Sequence, residues 1–270
     1  MGAGIAQVAA LNGFSVTLYD INESVIHNGV ARITADMKKG VEKQKHSLEE
    51  MNAALSRIHT KTHLSELGHC DVVIEAAQED LRVKRDLFRH LEADTKPATI
   101  LATNTSSLSI TAIASATKKP ERVVGMHFFN PVHTMKLVEV VQGAQTSDET
   151  MARTIELGEK LGKTCVRVKD TPGFIVNRVA RPFYGEALRI LGEGIASVEE
   201  IDRLMKEGGG FRMGPFELMD LIGIDVNLAV TQSVYEQFFH DPRYRPHPIQ
   251  RQMVESGRLG KKSGKGFYNY

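Results

Sequence analysis

Three short apolar runs separated by stretches of helical spacing constrain this chain more than any other feature. Residues 72–77, 99–103 and 123–126 are each of strand length, and the intervening 81–94 and 110–116 carry apolar residues at helical intervals. Near-continuous apolar strands alternating with helices belong in a parallel sheet covered on both faces. Upstream, residues 5–11 read as a helix stopped by Asn12-Gly13, and 14–20 as a short strand ending in Asp20. Residues 23–58, rich in Ala, Lys, Glu and Met and free of proline, read as a helical hairpin. Two more strand candidates follow at 137–141 and 164–168.

Past Asp170-Thr171-Pro172-Gly173 the pattern changes. Residues 174–191, 198–207, 215–221, 226–239 and 248–256 are amphipathic or apolar segments punctuated by Gly and Pro, without a good strand among them. The expected organisation is therefore an α/β domain over residues 1–169 and an all-helical domain over 170–270. Across the 270 residues, 34 Lys+Arg stand against 33 Asp+Glu, a formal net charge of +1, so no global field holds nucleic acid and an anionic ligand needs a local patch of cations. Cys70 and Cys165 are the only cysteines, far apart, which excludes a disulfide framework and a thiol zinc site and fits a reducing cytoplasm. No apolar run reaches the roughly 18 residues a membrane helix needs, and the first residues lack the pattern of a signal peptide. His59 and His63 share a helix-like spacing but lack the carboxylate of a metal-binding motif, so they read as surface residues and no metal is expected.

An acid closing a strand about twenty residues after a glycine-rich turn is the second half of a dinucleotide-binding unit, since its carboxylate accepts hydrogen bonds from a ribose 2′-hydroxyl. Asp20 stands where that acid belongs, and its charge repels a 2′-phosphate, favouring NAD over NADP; a strand-ending acid in solvent is the other reading. Met1-Gly2-Ala3-Gly4-Ile5-Ala6 has room only for the last glycine of a G-x-G-x-x-G turn, Gly2, and a further one in the helix. The first strand is absent. A chain truly starting at Met1 is expected to bind NAD poorly, and the native chain is expected to begin upstream of Met1.

Gly125-Met126-His127-Phe128-Phe129-Asn130-Pro131 puts a histidine just past a strand, on the edge where α/β proteins bind ligands. Further on, Lys136-Leu137-Val138-Glu139-Val140-Val141 places one carboxylate inside an apolar strand, where burial demands that it be neutral, hydrogen-bonded or paired. A strand, turn and returning strand bring Glu139 back beside His127. Two readings of the pair stay open: a general base fixed by its carboxylate, or a core histidine capped by a structural acid.

With Asn104-Thr105-Ser106-Ser107-Leu108 after a strand, Asp170 to Arg178 opening the helical half, Arg212-Met213-Gly214-Pro215-Phe216-Glu217-Leu218 and the terminal Gly260 to Phe267, the chain resembles the L-3-hydroxyacyl-CoA dehydrogenase family over essentially its whole length. It resembles closely that family's bacterial 3-hydroxybutyryl-CoA and 3-hydroxyadipyl-CoA dehydrogenases. The resemblance implies a Rossmann-like doubly wound sheet, here without its first strand, and NAD-dependent oxidation of an L-3-hydroxyacyl-CoA, short-chain, in fatty-acid or aromatic-acid catabolism. It makes His127 the general base, Glu139 its partner, Ser106 a hydroxyl at the reacting oxygen and Asn177 a residue orienting substrate from the second domain. Asn130, Glu79 and Lys84 match positions near the cofactor, although local sequence by itself favours a solvated loop or helix-face residue for each. Ser106 alone also suits a helix N-cap. Lys43, beside Lys38, Lys39 and Lys45, matches a position that meets coenzyme A, or lies on a solvated helix face. The family also implies a homodimer formed through the helical domain. Rival readings are a dehydrogenase of free hydroxy acids, which usually uses a catalytic lysine, and a non-catalytic protein like the lens crystallin that resembles this family.

Overall fold

The computed structural model describes residues 1–270. The chain divides into two compact units, Met1–Asp170 and Thr171–Tyr270. Asp170 belongs with the first unit, one residue beyond the expected boundary, because its carboxylate accepts hydrogen bonds from Ser109 Oγ at 2.8 Å and from the N–H and hydroxyl of Thr111 at 2.8 and 2.6 Å.

The first unit opens with α1 (Gly2–Leu11), β1 (Val16–Tyr19), α2 (Glu23–Glu42) and α3 (Leu48–Ser56), the last started by a reciprocal cap between Ser47 and Glu50. The helical hairpin ends earlier than the sequence reading has it. Ile58–Lys61 is a strand, β2, parallel to β1, so His59 lies in a strand and His63 in a loop, and their helix-like spacing is not realised. Next come β3 (Val72–Glu75), α4 (Leu81–Asp94), β4 (Ile100–Thr103), α5 (Ile110–Ala114), β5 (Val123–Phe128), β6 (Leu137–Gln142), α6 (Asp148–Lys160) and β7 (Thr164–Lys169). The sequence reading assigns nothing to residues 148–160; Ser147 caps α6, whose Met151, Thr154 and Gly158 face inward at helical spacing.

Two sheets result, β1-β2 and the five-stranded β3-β4-β5-β6-β7, with no strand bonded to both. In the larger sheet β3, β4 and β5 are parallel as expected, β6 runs back antiparallel to β5, and β7 lies parallel to β6. Alternation divides the two faces. Ile100, Ala102, Val124, Met126, Phe128, Val138 and Val140 pack with Ile5 and Val8 of α1 and Met151 of α6. The other side of α1, through Ala3, Ala6 and Ala10, packs with Ile33 and Met37 of α2 and Met51 and Ala54 of α3, so α1 is apolar on two sides and built from small residues. On the opposite face of the sheet, Gly125 admits α5: a Cβ there would lie 2.8 Å from Ile110 Cδ1 and 2.8 Å from Val141 Cβ. His127 and Glu139 share that face by parity.

The second unit holds α7 (Val176–Gly192), α8 (Val198–Glu207), α9 (Pro215–Ile222), α10 (Ile224–Gln237) and α11 (Pro248–Glu255), around Tyr184, Leu188, Phe216, Met219, Ile224 and Met253. Gly223, at φ 102°, turns α9 into α10. Two buried carboxylates tie the unit together. Asp202 accepts the N–H groups of Phe216 and Glu217, and Asp220 those of Phe267 and Tyr268 in the C-terminal tail. The tail can approach only because it carries glycine: a Cβ on Gly266 would fall 2.0 Å from Asp220 Oδ1.

Candidate active site

The antiparallel β5–β6 ladder sets His127 directly opposite Glu139. Their side chains, 7% and 1% exposed, meet through His127 Nδ1 and Glu139 Oε2 at 2.8 Å. A carboxylate only accepts, so Nδ1 carries a proton toward Glu139, an arrangement in which the neutral ring has its lone pair at Nε2 and can accept a proton there. The Phe129 ring lies 4.5 Å from the imidazole, centroid to centroid, and restricts its tilt.

Further polar groups follow the carboxyl ends of the parallel strands β3 and β4. After β4, Asn104 Oδ1 accepts the N–H of Phe128 at 2.9 Å, tying the following loop to the residue next to His127. Ser106 is in that loop. The N-cap of α5 is Ser109, whose hydroxyl accepts from Ala112, so the N-cap reading of Ser106 does not hold. Ser106 donates its N–H to Glu79 Oε1 at 2.9 Å, and the same oxygen accepts from Thr105 Oγ1 and from the N–H and hydroxyl of Ser107.

Lys84 therefore departs from the solvated alternative, whereas Glu79 stays in an exposed loop, its side chain 38% exposed, and is tied there by these bonds. Burial opposes ionisation of Glu79, but the Thr105 hydroxyl, the Lys84 charge and the Ser106 N–H outweigh it and hold this carboxyl below the usual range. Lys84, 1% exposed, lies on the inner stripe of α4 with Phe88 and Leu91. Its ammonium meets Glu75 Oε1 at 2.6 Å and Glu79 Oε2 at 3.3 Å. Glu75 and Thr103 are not singled out by the sequence reading, yet the Thr103 hydroxyl donates to Glu75 Oε2 at 2.6 Å in the same buried cluster. The signal was present: Glu75 ends an apolar strand just as Glu139 interrupts one.

At the amino end of α1 the N–H groups of Gly2, Ala3 and Gly4 precede the first intrahelical bond, made by Ile5, and no side chain caps them. Gly4 lets the helix approach the loop after β5, since a Cβ there would lie 3.1 Å from Val132 Cγ2. Gly4, Arg32, exposed Asn130 and Pro131 line a groove beside this helix end. Asp20 follows β1 and accepts the N–H of Asn22 at 3.2 Å. Free amides and a cation for phosphates, with a carboxylate at a strand end for ribose hydroxyls, form a donor set that fits a dinucleotide. Lys43 stands apart from this edge, exposed at the C-terminal end of α2 with Lys38 and Lys39 exposed on the same helix. Asn177 is in the first turn of α7 in the second unit, where its carbonyl accepts from Arg181.

Comparison with known proteins matches residues 1–171 to the NAD-binding domain of 3-hydroxyacyl-CoA dehydrogenase and residues 173–270 to its C-terminal domain. The chain belongs to the 3-hydroxyacyl-CoA dehydrogenase family. It is 50% identical over its full length to 3-hydroxyadipyl-CoA dehydrogenase of Escherichia coli, and spans 57% of that relative's length. It is 46% identical to a probable 3-hydroxybutyryl-CoA dehydrogenase of Bacillus subtilis, covering 94% of it. The crystal structure of (S)-3-hydroxybutyryl-CoA dehydrogenase from Ralstonia eutropha superposes with a TM-score of 0.96 at 43% identity, across 100% of this chain and 95% of that one. The family's NAD-binding domain gives NAD as the cofactor, in keeping with Asp20.

Proposed function

We propose that the chain oxidises a short-chain L-3-hydroxyacyl-CoA to the 3-ketoacyl-CoA with NAD, in fatty-acid or aromatic-acid catabolism. The observation that carries the reading is the buried His127–Glu139 pair on facing strands, 2.8 Å apart. His127 takes the proton of the 3-hydroxyl at Nε2, and Glu139 keeps the ring in the correct tautomer and stabilises the imidazolium that forms. Ser106 donates its hydroxyl to the reacting oxygen, and Asn177 orients the acyl group. When bound, NAD supplies the acceptor for the hydride leaving C3. Gly2, Asp20, Glu79, Lys84 and Asn130 form the cofactor side, the first two as the anion-binding helix end and the ribose acceptor. Lys43 meets the phosphates of coenzyme A.

The relatives' names set the substrate class to test, 3-hydroxybutyryl-CoA against 3-hydroxyadipyl-CoA. The expected result is NADH consumption with acetoacetyl-CoA and none with free acetoacetate; turnover of the free acid alone, or of neither, overturns the reading. No helix is long and apolar enough to cross a membrane, and we take the protein to act in the cytoplasm as a homodimer. The second unit exposes Val179 (68%) and Phe239 (93%), apolar surface that suits a self-complementary interface.

A further inference from the structure

We infer that Glu75 is a positioning residue: through Lys84 and Glu79 it fixes the segment Thr105 to Ser107, and with it the Ser106 hydroxyl, for the reaction proposed above, on which this inference rests. Glu75 and Lys84 are each 1% exposed, and charges so deeply withdrawn from water persist only when paired and fully hydrogen-bonded. Glu75 meets that condition. Its Oε1 accepts from Lys84 Nζ and from the N–H of Ala77, both at 2.6 Å, and its Oε2 from the Thr103 hydroxyl at 2.6 Å. Lys84 thereby shares its single charge between two carboxylates, held at 2.6 Å to Glu75 and at 3.3 Å to Glu79.

That unequal sharing is what leaves Glu79 for the loop. Its Oε1 takes Thr105 Oγ1 at 2.5 Å, Ser106 N at 2.9 Å, Ser107 N and Oγ at 3.2 Å each, and the Ser106 hydroxyl itself at 3.4 Å. Where Glu75 loses its charge, Lys84 keeps one anionic partner, its ammonium moves toward Glu79, and the carboxylate turns from the loop amides toward the ammonium. The other side of the loop stays tied to β5 by Asn104 and Phe128. Ser106 then hangs from one clamp where it had two, and a shift of about 1 Å at such a group costs on the order of 10²-fold in rate.

The test substitutes Glu75→Gln, which keeps the shape and the acceptor for Thr103, in the full chain. Amide exchange over residues 104–108 is followed together with kcat and KM for acetoacetyl-CoA, alone and in a Ser106→Ala background. The expected result is loss of protection at Ser106 and Ser107 and a kcat lower by about 10- to 100-fold with KM for the acyl-CoA little changed. In the Ser106→Ala background the same change is expected to add nothing further. Glu75→Asp, which restores the charge, recovers part of the rate. Unchanged protection, or losses from Glu75→Gln and Ser106→Ala that simply multiply, overturns the inference. Should Glu75→Gln not fold, Thr103→Val removes one of the hydrogen bonds to Glu75 and, since Thr103 Oγ1 also accepts the Thr105 N–H at 3.3 Å, is read by the same criteria at Ser106 and Ser107 alone. A wild-type chain inactive on every acyl-CoA overturns the functional reading instead, and the exchange measurement still decides whether the clamp exists.

Discussion

His127 Nδ1 and Glu139 Oε2 face each other inside the sheet, and that contact determines what single substitutions do. His127→Gln keeps much of the side-chain volume but accepts no proton, so kcat is expected to fall by roughly 10² to 10⁴ while NAD affinity, measured by fluorescence titration, stays the same. An unchanged rate removes His127 from the mechanism. Lys43→Ala takes away an exposed cation and is expected to raise KM for CoA esters, more at low salt than at high, with kcat unchanged. Glu79 carries a pH dependence. Its folded pKa is held below the ordinary carboxylate range, so the clamp on Ser106 and Ser107 is complete above about pH 4.5 and is lost as pH falls through the lowered value. Amide exchange at those two residues, followed across pH 3 to 6 with correction for the intrinsic rate, is expected to lose protection only at the acid end. Residues of this kind differ in how well a sequence displays them. Glu139 is legible because an acid in an apolar strand must have a partner, and the same logic reaches Glu75. The burial of Lys84, which only the family resemblance singles out, is not legible from its surroundings, because a lysine on a helix is read as solvent-facing unless its carboxylates are already known.

Elements were legible in proportion to their periodicity. The runs that became β3, β4 and β5 and the helices between them stand within a few residues of their sequence-based bounds, since β4 and β5 are buried along their length, β3 is half-buried, and all three are mostly apolar. The strand β2 escaped notice because Ile58–Lys61 has two exposed residues of four and no alternation strong enough to end a helical pattern. The Ala-rich α1 carries weak directional contrast because it serves two cores at once. The close approach of α5 to the sheet gives a stability prediction. Gly125→Ala sets a methyl against Ile110 and against the backbone-bound Cβ of Val141, and is expected to destabilise the first unit by about 1–3 kcal/mol, read from urea unfolding. A loss below the error of the measurement means α5 can back away.

For the whole molecule, the two-part organisation is visible as a change of pattern at Asp170-Thr171-Pro172-Gly173, and only the side-chain bonds to Asp170 place the boundary after it rather than before. Large apolar side chains left on the surface of the second unit, Leu204, Leu221 and Phe239 among them, lead us to expect a dimer in solution. Light scattering at micromolar concentration is expected to give twice 29.9 kDa, and a monomer mass there leaves those side chains without a reason. What joins the strands of the His127–Glu139 pair is the connection from Phe129 to Lys136. Because His127 and Glu139 are opposed by backbone pairing, insertions or exchanges in that connection leave their spacing unaltered. The bend beyond the groove-lining Asn130 and Pro131, from His133 to Lys136, is thus the part open to drift, and a lineage can reshape it while the proposed proton acceptor still faces its carboxylate.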